Sequence, residues 1–128
     1  MLFRSEEIIS NYEIKEMIEN AQKINNMSVI VKTYENKTMN YINKIANKIS
    51  ERDDMVALFA LINNDKLNLL FACSKNLEQL DMNNLLKDSI KLVDGKGGGS
   101  KVLAQGGGKN NGSLDSLFDY VKMKLKSN

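Results

Sequence analysis

The sequence GKGGGSKVLAQGGG, residues 95–108, contains seven of the eight glycines of this chain. Glycine is depleted from regular elements because it loses much backbone entropy on folding, so two triplets this close need a reason. The apolar residues between them, Val102-Leu103-Ala104, predict a brief buried strand that ends at Gln105. The pattern therefore predicts a glycine loop, a strand, a second glycine loop and then a helix beginning near Ser113. Such loops leave backbone N–H groups free, and a phosphate can approach them closely.

A purely structural role for the glycines is the alternative explanation. Flexible linkers carry Ser, Thr or Pro and have no apolar centre, so this stretch is not typical of a linker. The triplets can instead be tight turns around an edge strand. For Gln105, the corresponding alternative is a side chain that hydrogen-bonds the neighbouring glycine loop and fixes its shape.

The size and composition indicate one globular domain. The chain has 128 residues, of which 42% are hydrophobic and 27% charged, which is ordinary for a soluble protein that buries a core. We find no apolar run long enough to span a bilayer and no signal peptide, so a cytoplasmic location without membrane contact is expected. Histidine is absent, which excludes imidazole zinc sites and His-activated nucleophiles. The single cysteine, Cys73, lies in an apolar run and is predicted to be a buried strand residue.

The positive charge is concentrated in the part of the chain that holds the glycines. Residues 91–128 contain seven lysines and three aspartates, so this part carries 7 − 3 = +4, and the remainder of the formal +2 is −2. A basic surface beside free amides is where a polyanion binds. The lysines at 122, 124 and 126 have another explanation, since they lie in the last turn of the predicted final helix and complement its dipole.

Hydrophobic periodicity predicts an α/β (α+β) fold: a mixed β-sheet of about four to five strands with helices on both faces, preceded by an N-terminal helix. Residues 55–62 are apolar at every position, which indicates a strand covered on both faces. Thr38, Asp81 and Ser113 are predicted helix caps. The predicted elements are, in order, helix 5–24, strand 28–34, helix 38–49, strand 55–62, turn 63–66, strand 67–73, helix 81–93, the glycine segment and a helix from residue 113.

We divide the chain into residues 1–25 and residues 26–128. The first segment is expected to be an N-terminal helix that packs on the domain, links it to an upstream domain or forms a dimer contact. The second is the globular domain. A phosphate-binding P-loop is excluded because Leu103 stands where it needs a glycine and Asn110 follows the Gly108–Lys109 pair. A dinucleotide fingerprint is not supported either, because Gly95 follows a helix instead of a strand.

The glycine segment resembles a known family signature. Gly97-Gly98-Gly99, a short gap and then Ala104-Gln105-Gly106-Gly107 is similar to the pattern in the C-terminal (DHH-associated) domain of alanyl-tRNA synthetases and freestanding alanyl-tRNA editing proteins. Many of those synthetases have Arg-Pro after the triplet, where this chain has Ser100-Lys101, so the parent can be the ligase or the editing protein. The related DHH phosphoesterases usually have a histidine at the position of Ser100.

The resemblance implies a non-catalytic tRNA-binding domain that holds the elbow of tRNA, with tRNA-Ala as the expected partner, and so aids aminoacylation or editing. It implies no catalytic residue, metal or cofactor in this chain. The parent would be an alanine–tRNA ligase or an aminoacyl-tRNA deacylase, and a full synthetase would use ATP and zinc. Two alternatives stay open: the nucleotide-binding half of a DHH-type phosphoesterase, and an oligomerisation module whose homodimer forms through Ile14, Met17, Ile18 and Ala21.

The expected nucleic-acid-binding residues come from the glycine segment and its flanks. Lysines are expected to neutralise phosphates, glycine amides to line a concave site, and Gln105 to offer both a donor and an acceptor to a ribose or a base edge. The full predicted set is Lys96, Gly97, Gly98, Gly99, Ser100, Lys101, Gln105, Gly106, Gly107 and Lys109.

Overall fold

A computed structural model describes the backbone of residues 2–127 and the side chains of residues 11–127. The helices are α1 (Leu2–Glu19), α2 (Met39–Ser50), α3 (Met82–Ser89), which continues as the 3₁₀ turn Ile90–Val93, and α4 (Leu114–Ser127). The strands are β1 (Gln22–Ile24), β2 (Met27–Glu35), β3 (Met55–Asn63), β4 (Lys66–Cys73), β5 (Lys96–Gly99) and β6 (Leu103–Lys109). No helix in residues 2–127 is both long and apolar enough to cross a lipid bilayer.

The strands form one mixed sheet in the order β1-β2-β3-β4-β6-β5. Strands β2 and β3 are parallel, and every other neighbouring pair is antiparallel. Helices α1 and α2 pack on one face, while α3 and α4 pack on the other. The predicted fold class is therefore confirmed, with six strands where four to five were expected. The additional strands are the short β1 and the glycine-rich β5.

Strand β3 is the centre of the hydrophobic core, as its unbroken apolar sequence predicted. Val56, Leu58 and Ala60 belong to the cluster beneath α3 and α4, and the alternating Ala57, Phe59 and Leu61 belong to the cluster beneath α1 and α2. A strand that is buried on both faces needs no polar alternation. The turn predicted at residues 63–66 joins β3 to β4, with Asn63 opposite Lys66 and Asn64 at a φ of 58°.

The N-terminal helix is shorter than predicted. It ends at Glu19, and residues 22–24, predicted as helix, form β1 instead. Asn25 and Asn26 have φ values of 49° and 69°, and asparagine tolerates this region, so the chain reverses tightly and β1 pairs with β2. The Asn25 side chain also donates to the carbonyls of Leu125 and Lys126 at the end of α4. The predicted division after residue 25 therefore falls inside a hairpin that belongs to the sheet.

Two of the predicted caps are present. The Thr38 side chain accepts a hydrogen bond from the Tyr41 N–H, and the Asp81 side chain accepts one from the Asn84 N–H. These contacts satisfy backbone donors that a helix start leaves without partners. Helix α4 begins directly after Ser113, as predicted.

The apolar side of α1 packs against the chain's own domain. Ile14 is buried, and Met17, Ile18 and Ala21 are half-buried against the cluster that includes α2. These are the four residues that were predicted to form a dimer contact. The homodimer stays a prediction, and the structure uses this surface within one chain.

A polar contact also fixes α1. Glu13 accepts hydrogen bonds from the Lys32 ammonium at 2.9 Å and from the Tyr41 hydroxyl at 2.6 Å. Burial alone raises the pKa of Glu13, but these hydrogen bonds and the charge of Lys32 together hold it below its ordinary value of 4.5. The ionised carboxylate is therefore the form that the folded chain favours.

The Glu13 contact predicts a pH-dependent stability. Since the folded-state pKa is lowered, the contribution is fully present above about pH 4.5 and is lost as the pH falls through the folded value. We expect Glu13→Gln to lower the free energy of unfolding by about 1–2 kcal/mol at pH 7, and by progressively less below pH 4.5. Urea unfolding between pH 3 and 7 measures this. Glu19→Gln is the control of equal charge, and a Glu13→Gln effect that is constant over this range would contradict the prediction.

Candidate nucleic-acid interface

The glycine segment forms a β-hairpin. Strand β5 pairs antiparallel with β6, and the two are joined by Ser100-Lys101-Val102, where the Ser100 N–H donates to the Leu103 carbonyl. The predicted order of loop, short strand and loop is wrong, because both glycine triplets lie within strands. Glycine has a poor intrinsic preference for strands, and close packing against neighbouring backbone overrides that preference here.

Most of the glycines are explained by this packing. A Cβ atom placed on any of five of them would lie within 3 Å of backbone atoms of the facing segment, which no side chain tolerates. At Gly106, it would stand 2.7 Å from the Lys96 carbonyl oxygen and 2.7 Å from Ile90 Cδ1. The five are Gly95, Gly97, Gly99, Gly106 and Gly108. For these residues the structural explanation holds.

The hairpin does not present a cradle of free amides. Strand β6 lies between β4 and β5, so the N–H groups of Gly106 and Gly107 belong to the two ladders. At the sheet edge, the Gly99 N–H donates to the Asn83 side-chain oxygen at 3.0 Å. The amides of Gly99, Gly106 and Gly107 are therefore used within the chain and do not line a concave site, while the role of the glycine segment in binding nucleic acid stays a prediction.

The predicted binding residues lie at two ends of the hairpin. Ser100 and Lys101 are at its tip, where the Lys101 ammonium donates to the Glu78 carbonyl at 3.3 Å. Lys109 ends β6 at the opposite end, roughly 25 Å from the tip for a strand of this length. Lys96 lies nearer to Lys109, since it is paired with Gly107. The structure thus brings Lys96, Gly107 and Lys109 together and separates them from Ser100 and Lys101.

A cleft of about 860 Å³ adjoins the hairpin tip, between the end of α2 and β4. Its lining includes Ser100, Asp53, Lys75 and Cys73. Burial, followed by the charge of Asp81, raises the pKa of the Cys73 thiol to about 11, so it stays protonated at neutral pH. The predicted buried strand cysteine is confirmed. Of the predicted binding residues, this cleft contains Ser100 and none of Lys96, Gln105 and Lys109.

Pairing of β4 with β6 creates a polar surface beside the glycine segment. Lys66 lies directly opposite Lys109, Asn68 opposite Gly107, and Leu70 opposite Gln105. Leu70 is buried in the hydrophobic cluster beneath α1 and α2. On the same face of the sheet, the residues toward the start of β4 and the end of β6 are polar, apart from Gly107, and mostly exposed. We call this surface the open sheet face, defined by Lys66, Asn68, Gln105, Gly107 and Lys109.

Lys66 and Asn68 were missed from the sequence because β4 and β6 are not consecutive strands. A turn motif predicts a hairpin such as β3–β4. No local sequence feature indicates that two strands pair when a helix and another strand lie between them in the chain. The available signal was the pair of polar residues, Lys66 and Asn68, at the start of a strand whose remaining residues are apolar.

The lysines of this region carry unneutralised charge. Among the side chains described, from Asn11 to Ser127, the only ion pair is Lys32–Glu13. The cross-strand pair of Lys66 and Lys109 places like charges directly opposite each other, which is unfavourable for the sheet. A surface that keeps such a pair without carboxylate partners has an electrostatic potential suited to an anionic ligand.

Comparison with known families identifies the domain. The family profile described as "DHHA1 domain" matches residues 8–127, nearly the whole chain. The chain belongs to the DHHA1 domain family. Among the curated relatives of this DHHA1 domain are alanine–tRNA ligases from Methylacidiphilum infernorum, 35% identical over 80% of the chain, and from Caldicellulosiruptor saccharolyticus, 29% identical over 94% of the chain. The chain spans only 11% and 14% of the lengths of these two proteins.

Solved structures share the DHHA1 fold. The C-Ala domain of alanyl-tRNA synthetase from Aquifex aeolicus superimposes with a TM-score of 0.78 at 21% identity, covering 83% of this chain and 97% of that domain. RecJ from Thermus thermophilus, in complex with Mn²⁺, gives 0.67 at 13% identity, covering 95% of this chain and 17% of RecJ. Both likenesses concern the fold alone. Within residues 11–127 we find no group of three or more Cys, Asp or Glu side chains placed to hold a metal ion.

Proposed function

We propose that this chain is the tRNA-binding C-terminal domain of an alanine–tRNA ligase. The observation that carries the proposal is the sequence similarity of this chain to alanine–tRNA ligases, two of which are 35% and 29% identical to it. The matched segment is only about a tenth of their length. The fold of a synthetase C-Ala domain supports it. In this role the domain holds tRNA-Ala in the cytoplasm, while the aminoacylation and editing reactions take place on other domains of the parent.

The physical basis of binding is phosphate neutralisation by lysine. Lys96, Lys101 and Lys109 are exposed and have no carboxylate partner among the described residues. Each phosphate that a lysine neutralises releases condensed counterions, so the affinity falls as salt increases. Because the amides of Gly99, Gly106 and Gly107 are used within the chain, lysine side chains are the main phosphate-binding groups in this proposal.

A titration of fluorescently labelled tRNA-Ala at several salt concentrations tests the proposal. We expect the logarithm of the association constant to fall linearly with the logarithm of salt concentration, with a slope of about 0.7–0.9 for each phosphate contacted. Substituting Lys96, Lys101 and Lys109 together by alanine should weaken binding and reduce that slope.

The matched control is the triple substitution of exposed Lys15, Lys44 and Lys91 by alanine, which removes the same charge from other surfaces. Circular dichroism confirms that each variant is folded. A folded chain that shows no detectable tRNA binding at low salt would refute the proposed function.

A further inference from the structure

We propose that the open sheet face, beyond the glycine segment itself, is where this domain contacts the sugar–phosphate backbone of tRNA. Lys66 and Lys109 bind phosphates, the Asn68 and Gln105 amides bind ribose hydroxyls, and the main chain at Gly107 is the point of closest approach. The inference rests on the proposed function and assigns to it Lys66 and Asn68 of β4, which lie outside the glycine-rich sequence.

Gly107 is the first observation in support. Its neighbours Gly106 and Gly108 face the 3₁₀ turn, where a Cβ would stand 2.7 Å from Ile90 and Val93 side-chain atoms. On the opposite side, a Cβ at Gly107 would meet the Asn68 oxygen at 3.2 Å and the Leu67 carbonyl at 3.7 Å. A methyl group therefore nearly fits at Gly107. Packing does not require a glycine there, whereas close approach of a ligand backbone does.

The free polar groups are the second observation. Neither the Asn68 nor the Gln105 side-chain amide has a hydrogen-bond partner among the described residues, although Asn68 is half-buried. The structure does not contain the Gln105 contact to the glycine loop that would have given this residue a purely local role. Each amide offers both a donor and an acceptor, which is what a ribose 2′-hydroxyl requires.

The chemistry of the surface selects the backbone over the bases. Base recognition on a β-sheet uses aromatic side chains on which bases stack. The residues that β4 and β6 direct to this face include no aromatic side chain, and its charges are lysines. Lysine binds phosphate as a point charge, and a phosphate contact carries no sequence information. The open sheet face is therefore suited to tRNA regardless of its sequence.

The salt dependence of tRNA binding measures this directly. For Lys66→Ala and for Lys109→Ala, we expect the slope of log affinity against log salt to fall by about 0.7–0.9, and by about twice that in the double variant. Affinity near 100 mM salt should fall about fivefold for each lysine. Gly107→Ala should also weaken binding while the fold is retained. Lys91→Ala is the matched control, since Lys91 lies on the 3₁₀ turn against the other side of β6.

The outcomes separate this inference from the proposed function. Reduced slopes for Lys66→Ala and Lys109→Ala, equal for tRNA-Ala and for a second tRNA, support it. Undiminished binding and slope in the folded double variant would overturn the inference and leave the proposed function standing. Lysine effects confined to tRNA-Ala would overturn backbone recognition. A wild-type chain that binds neither tRNA would overturn both.

Discussion

Gly106→Ala should lower the free energy of unfolding by about 3 kcal/mol. The added methyl group would stand 2.7 Å from the Lys96 carbonyl oxygen and 2.8 Å from Gly97 Cα, and both are backbone atoms of the paired strand. Backbone cannot move aside as a side-chain end does, so β5 and β6 would have to separate. Urea denaturation followed by circular dichroism measures the change.

Gly107→Ala is the matched control for this prediction, because it is the adjacent glycine of the same strand. The atom nearest to its added methyl group is the Asn68 side-chain oxygen at 3.2 Å, which can move. We expect a change below about 1 kcal/mol. Equal denaturation midpoints for Gly106→Ala and Gly107→Ala would contradict the close packing of the hairpin.

A second substitution identifies what Gly106 packs against. Ile90→Val removes the Cδ1 atom that would stand 2.7 Å from the new methyl group. The loss of stability in the Ile90→Val/Gly106→Ala double variant should therefore be smaller than the sum of the losses in the two single variants. The double variant should still be less stable than the wild type, because the backbone contacts remain.

Ser74→Ala should lower the free energy of unfolding by about 2–3 kcal/mol. Ser74 is 1% exposed, and its hydroxyl accepts a hydrogen bond from the Met55 N–H at 2.9 Å and donates to the Arg52 carbonyl. The side chain thus joins the end of β4 to the segment that enters β3. Alanine would leave the buried Met55 N–H without its side-chain partner. The free-energy penalty of an unsatisfied buried donor is larger than the net contribution of an ordinary hydrogen bond to stability.

Ser50→Ala is the control for Ser74→Ala. Its hydroxyl donates to the Asn47 carbonyl at 3.1 Å in an exposed setting where water can replace it. We expect less than about 0.5 kcal/mol for this variant. If thermal or urea unfolding shows equal losses for the two serines, the Ser74 contact does not stabilise the junction.

The hairpin resolves the two explanations of the glycines into separate residues. Gly95, Gly97, Gly99, Gly106 and Gly108 are required by the approach of neighbouring backbone. Gly107 belongs to the open sheet face, where the surrounding atoms leave nearly enough room for a methyl group. The structural explanation therefore applies to these five positions, and the ligand contact that we propose concerns Gly107. We expect Gly106→Ala to reduce stability and Gly107→Ala to reduce binding.

Local signals predicted much of the fold. The caps at Thr38 and Asp81, the β3–β4 turn and the buried β3 all depend on residues that are close in sequence. The prediction was wrong where tertiary packing overrides local preference. Glycines 97–99 read as a loop but form an edge strand, and Gln22–Ile24 continued an apparent helix but joins the sheet.

The sequence alone determined the fold class, the central strand and the position of the glycine segment in the basic C-terminal part of the chain, because periodicity, caps and charge are properties of neighbouring residues. Only the tertiary structure decided that β6 pairs with β4, and so that Lys66 and Asn68 lie beside Lys109 and Gly107. The physical reason is that strand order in a sheet depends on which surfaces bury each other. The local sequence around residues about forty positions apart does not indicate that they will pair.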